Sequence, residues 1–97
     1  MEATIELKPH LALFYDYVEN ALEARKPFRE AHLDAARAAK DAGLLVASGA
    51  LGDPPHGGLF IFASEDRAVV ERFVAADPYV VNGIVISSRV EVWNVVV

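Results

Sequence analysis

Asp77-Pro78-Tyr79-Val80 divides the last third of the chain into an apolar helix and an apolar strand. The ring of Pro78 disfavours the αR conformation for Asp77 and cannot donate into the preceding turn, so a helical pattern must stop there. Upstream, Val69, Val70, Phe73 and Val74 recur at helical spacing. They follow Ser64, a good N-cap, with Glu65 and Asp66 placed in the first turn where the helix dipole favours acids. Downstream, past Gly83, Ile84 to Val97 reads as a long terminal strand, with Ser87-Ser88 as the place where it would break.

Moving back from this corner, Leu59 to Ala63 is a strand with almost no polar alternation, as expected at the centre of a sheet covered on both sides. Asp53-Pro54-Pro55-His56-Gly57-Gly58 is turn chemistry throughout, and Leu44 to Leu51 is a strand containing Gly49. Pro27 to Ala42 is helical. Phe28, Ala31 or His32, Ala35, Ala38 or Ala39, and Ala42 recur at three- and four-residue spacing opposite Glu30, Asp34, Arg37, Lys40 and Asp41. Pro27 suits the first turn and Gly43 the position just past the last. Glu19 to Lys26 is a charged loop or short helical turn. His10 to Val18 is a strand with Leu11, Leu13, Tyr15 and Tyr17 on one face and Ala12 and Phe14 on the other, and residues 1–8 are a charged lead-in.

The order β-α-β-β-α-β within 97 residues points to an α+β, ferredoxin-like split βαβ fold: an antiparallel four-stranded sheet with both helices on one face. One domain spans residues 1–97, because two cores of half that size would each be too small. Two helices cover only one face of such a sheet. The other face needs a partner, and a homodimer packed sheet to sheet is the expectation.

Composition narrows the function classes. Apolar residues make up 54% of the chain, a globular share. Nine basic and fourteen acidic residues give a net charge of -5, scattered without a basic stripe, which argues against nucleic acid as a partner. No segment approaches the ~18 apolar residues of a membrane span. Met1-Glu2-Ala3-Thr4-Ile5-Glu6 carries acids where a signal peptide carries bases. The absence of cysteine removes thiol catalysis and Cys-ligated zinc and fits a cytoplasmic location.

Two residues stand out as an acid–base unit. His32 lies in Arg29-Glu30-Ala31-His32-Leu33 near the start of the first long helix, and Asp77 lies at the corner. A carboxylate orienting an imidazole is the minimal arrangement for moving a proton. The split βαβ topology packs the two helices side by side and so permits contact. The bland alternatives are a packed helix histidine and a helix-stop aspartate. Arg29 is one turn before His32 and is either a solvated cation or a guanidinium that holds a substrate oxygen. Tyr79 either lines the same cleft or belongs to the core. His10, His56 and His32 have no short-range pairing, so no metal site is expected. Gly57-Gly58 enters a strand, so it presents no helix N–H groups to a phosphate. Ser48, Ser64, Ser87 and Ser88 lack a nucleophile-elbow context.

These residues resemble the YCII-related proteins. The resemblance rests on Arg29-Glu30-Ala31-His32-Leu33, the Gly43 to Gly49 segment, Gly58-Leu59-Phe60-Ile61-Phe62, Asp77-Pro78-Tyr79-Val80 followed by Gly83, and Trp93-Asn94-Val95-Val96. It implies a fold of the dimeric α+β barrel type, similar to muconolactone isomerase. It also implies a cleft in which His32 and Asp77 form a pair, with Arg29 as the arginine of the Arg-x-x-His-Leu pattern. One branch of the family is known as a dehydrochlorinase of a chlorinated hydroxyhydroquinone. Two readings follow. One is a small cofactor-free enzyme performing isomerisation, elimination or dehydrochlorination on a small cyclic or aromatic substrate, with His32 and Asp77 catalytic and Arg29 and Tyr79 binding substrate. The other is a non-catalytic, ligand-binding or accessory dimeric module.

Overall fold

The structure, a computed structural model, describes residues 8–97. The reading of residues 1–7 as a charged lead-in without a signal segment lies outside the described residues. Lys8, read with them, already belongs to the first strand.

The elements are β1 (Lys8–Tyr17), α1 (Ala21–Ala24), a 3₁₀ turn (Lys26–Phe28), α2 (Arg29–Asp41), β2 (Leu45–Leu51), β3 (Gly57–Phe62), α3 (Arg67–Ala76), α4 (Pro78–Val81) and β4 (Val85–Val95). The strands form one antiparallel sheet in the order β2-β3-β1-β4. That order places the first and third strands at the centre, and it is the ferredoxin-like arrangement expected from the sequence.

Strand periodicity builds the core. Leu11, Leu13, Tyr15 and Tyr17 alternate toward the helices and are all buried, together with Phe60 and Phe62 of β3, Ala36 of α2 and Val70 of α3. Ala12 and Phe14 point the other way, opposite Ile61 and Leu59 in register. No helix lies over that face among the described residues. Phe14, Leu59 and Ile61 are therefore only half-buried in a single chain, and the two-sided cover read for the central strands holds on the helix side alone.

Several boundaries differ from the sequence reading. The buried line on α2 runs through His32 and Ala36, with Leu33, Ala35 and Ala39 half-buried, while Ala31, Ala38 and Ala42 are exposed. The helix is thus rolled toward the side that carries His32. It ends in a Schellman motif, with Gly43 at φ 78 and its N–H on the Lys40 carbonyl, and the Leu44 N–H on that of Ala39. Asp66, not Ser64, caps α3: its backbone is still extended, and its side chain accepts from the Ala68 N–H at 2.9 Å. Ser64 Oγ instead accepts from the Asp66 N–H, bracing the approach to the helix. Beyond Asp77 the chain makes one helical turn, α4, before the last strand. Ser87 and Ser88 do not interrupt β4. They pair with Asp16 and Tyr15, and the irregularity falls between Asp16 and Tyr17 on the facing strand.

Candidate active site

The corner at Asp77 is built by backbone chemistry first. Pro78 holds Asp77 extended (φ -67, ψ 122), which ends α3 and begins α4 at one residue. In that conformation Oδ1 accepts the Tyr79 N–H at 3.0 Å, so Asp77 is also the N-cap of α4. The side chain is directed into the protein and is fully buried.

Three donors meet this carboxylate. His32 Nδ1 lies 2.8 Å from Oδ1 and the Tyr15 hydroxyl donates to Oδ2 at 2.8 Å, in addition to the Tyr79 N–H. A carboxylate only accepts, and Oδ1 already takes one N–H, so Nδ1 is the protonated nitrogen of the His32 ring. In the neutral ring the lone pair is then on Nε2. Nε2 has no hydrogen-bond partner among the described residues, and no buried side-chain nitrogen or oxygen lacks one, so Nε2 is open to the pocket. The Tyr79 ring stacks on His32, centroids 3.8 Å apart and planes within 3°, and Phe60 meets the imidazole edge-on. The imidazole is held by a hydrogen bond on one edge and by rings on a face and a side.

The pocket in front of it has a volume of about 270 Å³ and is lined by His32, Tyr79, Phe60, Tyr17, Arg25 and Arg29, with residues 48–50 of the edge strand β2 on the far wall. Its phenols are held in the protonated form. Burial raises Tyr17 from 10.0 to about 12, with the neighbouring Tyr79 adding to the rise and Arg25 opposing it. Burial also raises Tyr79, against the pull of Arg25 and Arg29. Tyr15, behind the pocket, is pushed well above the ordinary phenol range by burial and then by the Asp77 charge.

Among the described residues no group of three or more His, Asp or Glu side chains could hold a metal ion, and no helix is long and apolar enough to cross a membrane. His10 binds its own strand through the Lys8 carbonyl, and His56 is exposed in the β2–β3 turn.

A profile of the YCII-related domain matches residues 10–94. The chain belongs to the YCII-related family. This YCII-related chain also resembles, in structure, the 5-chloro-2-hydroxyhydroquinone dehydrochlorinase of Burkholderia phenoliruptrix solved with 2,5-dihydroxybenzoquinone. The TM-score is 0.74 over 88% of this chain and 93% of that chain, at 22% sequence identity. The likeness establishes a shared α+β fold with a four-stranded antiparallel sheet. No curated protein matches the sequence significantly.

All four residues singled out in the sequence, His32, Asp77, Arg29 and Tyr79, come together at this one place. Arg25, Tyr17 and Tyr15 were not singled out. Arg25 lies in the Glu19 to Lys26 stretch, which reads as a charged loop or short helical turn and forms the helical turn α1, and the two tyrosines read as the apolar face of the first strand. A signal existed for the tyrosines, because a phenol facing a core must find a partner for its hydroxyl.

Proposed function

We propose that this YCII-related protein is a small acid–base enzyme that needs no cofactor. The observation that carries the reading is the buried 2.8 Å contact between His32 Nδ1 and Asp77, with Nε2 turned to the pocket. Asp77 fixes the tautomer and balances the charge that His32 gains. His32 Nε2 takes a proton from a ring C–H or O–H of the bound substrate. In an elimination, the freed electron pair passes through the ring and leaves with a group such as chloride, for a net loss of HCl. In an isomerisation, Nε2 returns the same proton to another carbon. Arg29 stabilises the oxyanion formed between the two steps, and Tyr79 supplies the wall against which ring and imidazole align.

The pocket lies at the lower edge of the ~300–1,000 Å³ usual for ligand sites, which limits the substrate to about one ring. The dehydrochlorinase of similar fold, with its dihydroxybenzoquinone ligand, supports a substrate of that size. The open sheet face supports a homodimer, and a chain without cysteine suits the cytoplasm.

The test is a panel of hydroxylated, chlorinated and lactone rings incubated in D₂O. Chloride release and incorporation of deuterium at ring carbons are followed by NMR. A competent substrate should lose about 10²- to 10⁴-fold in rate with His32→Ala and a comparable amount with Asp77→Asn. Unchanged exchange in both variants would end the acid–base reading. Saturable binding without exchange or turnover would instead place the protein with the ligand-binding modules.

A further inference from the structure

The pocket carries a second guanidinium that neither the sequence motif nor the acid–base step uses. Arg25 sits at the end of α1, and its main chain is fixed on both sides: its N–H donates to the Ala21 carbonyl, and its carbonyl accepts the Phe28 N–H, each at 2.9 Å. Its half-buried side chain lines the same cavity as Arg29. Both guanidiniums share this cavity with the phenols of Tyr17 and Tyr79, and both cations lower those phenols against the effect of burial.

Neither arginine has a carboxylate within ion-pair distance among the described residues. Their sequence neighbours are taken: Glu23 pairs with Lys26 at 2.8 Å, and Glu30 faces Arg37 at 3.8 Å. Asp77 is buried behind the imidazole, occupied by three donors, and does not line the cavity. Arg67 and Arg72 also have no ion pair among the described residues, so what marks Arg25 and Arg29 is that the two share one small cavity. Unpaired guanidiniums facing a cavity with hydroxyl donors beside them make a site for anionic oxygens.

We propose that the cavity selects a dianion: a single small ring bearing two separate ionised oxygen groups, one held by Arg29 and the other by Arg25 with the Tyr17 hydroxyl. The ring lies against Phe60 and Leu33, within reach of His32 Nε2. Tyr17 remains a donor throughout the neutral range, because its proton is held to about pH 12. The inference rests on reading this cavity as the substrate site, but it concerns equilibrium binding and needs no turnover.

The test measures dissociation constants by titration calorimetry for benzoate and for the benzene-1,2-, 1,3- and 1,4-dicarboxylates. The wild-type protein is compared with Arg25→Gln, Arg25→Lys, Arg29→Gln and His32→Gln, each checked for folding by circular dichroism. At least one dicarboxylate should bind about 10- to 100-fold more tightly than benzoate, the range of one added charge-assisted contact. Arg25→Gln should weaken that dicarboxylate at least about tenfold more than it weakens benzoate and so remove its advantage, and Arg25→Lys should restore part of the difference. Arg29→Gln should weaken both ligands. His32→Gln should keep the preference. In the wild-type protein, a dianion preference without proton exchange on any ring of the panel would leave this proposal standing and remove only the acid–base reading. Equal binding of benzoate and all three dicarboxylates, no binding of any of them, or an equal loss of both ligand types in Arg25→Gln would overturn it.

Discussion

Asp77 accepts three hydrogen bonds through two oxygens, and that count decides which substitution there is informative. Asparagine can keep Oδ1 on the Tyr79 N–H and His32 Nδ1–H while its NH₂ donates to the Tyr15 oxygen, because a hydroxyl can turn from donor to acceptor. Asp77→Asn should therefore fold, at a cost of about 1–2 kcal/mol, and remove only the charge. Asp77→Ala strands three buried donors and uncaps α4, and should cost about 3–5 kcal/mol in urea denaturation. Tyr15→Phe tests the same network from behind. It should lower stability by about 1 kcal/mol and leave the pocket intact. The three tyrosines also fix an alkaline limit. Each is raised by burial, whereas the unfolded chain ionises its phenols near the ordinary value of 10.0. Between that value and about 12, where Tyr17 ionises in the folded protein, the unfolded state has lost protons the native state retains. Stability should be level below 10, fall across this window, and show tyrosinate absorbance rising together with unfolding. A gradual rise in tyrosinate near 10 with the fold intact would contradict the burial that raises them. The residues of the site were legible unequally. His32 and Asp77 carry chemistry in their names and sit at a helix start and a helix stop, whereas Arg25 reads as one more charge until the fold turns it inward.

At the scale of elements, the pattern of apolar residues was enough to order strands and helices, because period and turn chemistry are local. What it did not resolve were features set by contacts across the sheet. The roll of α2 is one: two alanine lines three or four residues apart look equivalent in sequence, and only the packing side of His32 separates them. The cap of α3 is another, since Ser64 and Asp66 are both good caps and the extended backbone at Asp66 decides between them. Asp66→Ala should therefore cost about 1 kcal/mol, measured by thermal or urea unfolding, with Ser64→Ala costing less. Gly57 shows the same limit. Its sequence context is turn chemistry, yet it opens β3 beside β1, where an added Cβ would collide with the carbonyl oxygen of Tyr15. That atom is backbone in a central strand and has nowhere to move. Gly57→Ala should destabilise by more than the ~1 kcal/mol expected of an average substitution, and should disturb Tyr15 and so the Asp77 network. Gly49, with open space around its would-be Cβ, is the control and should accept alanine with little change.

At the scale of the whole molecule, the helices and the site occupy one face of the sheet and, among the described residues, leave the other bare. Register places Phe14 beside Leu59 and Arg89, Ala12 beside Ile61 and Glu91, and His10 beside Trp93, so these side chains share the bare face. Its centre is apolar and dimpled, while its rim carries the Arg89–Glu91 ion pair, with Arg89 over the Phe14 ring at 4.0 Å. An apolar centre with a charged rim is the anatomy of an interface. The proposed homodimer would use this same patch on both copies, as a two-fold axis requires. Trp93 is the only tryptophan and is 49% exposed in the single chain, so its emission reports whether the face is covered. On dilution from micromolar concentration, dissociation should shift that emission to longer wavelength in step with the loss of the dimer in sedimentation. Ile61→Lys places a charge at the centre of the bare face without touching the core beneath. It should yield a folded monomer whose tryptophan emits at the long-wavelength limit at every concentration. A wild-type chain that sediments as a monomer at micromolar concentration, with Trp93 already solvent-exposed, would leave the face uncovered and remove the homodimer.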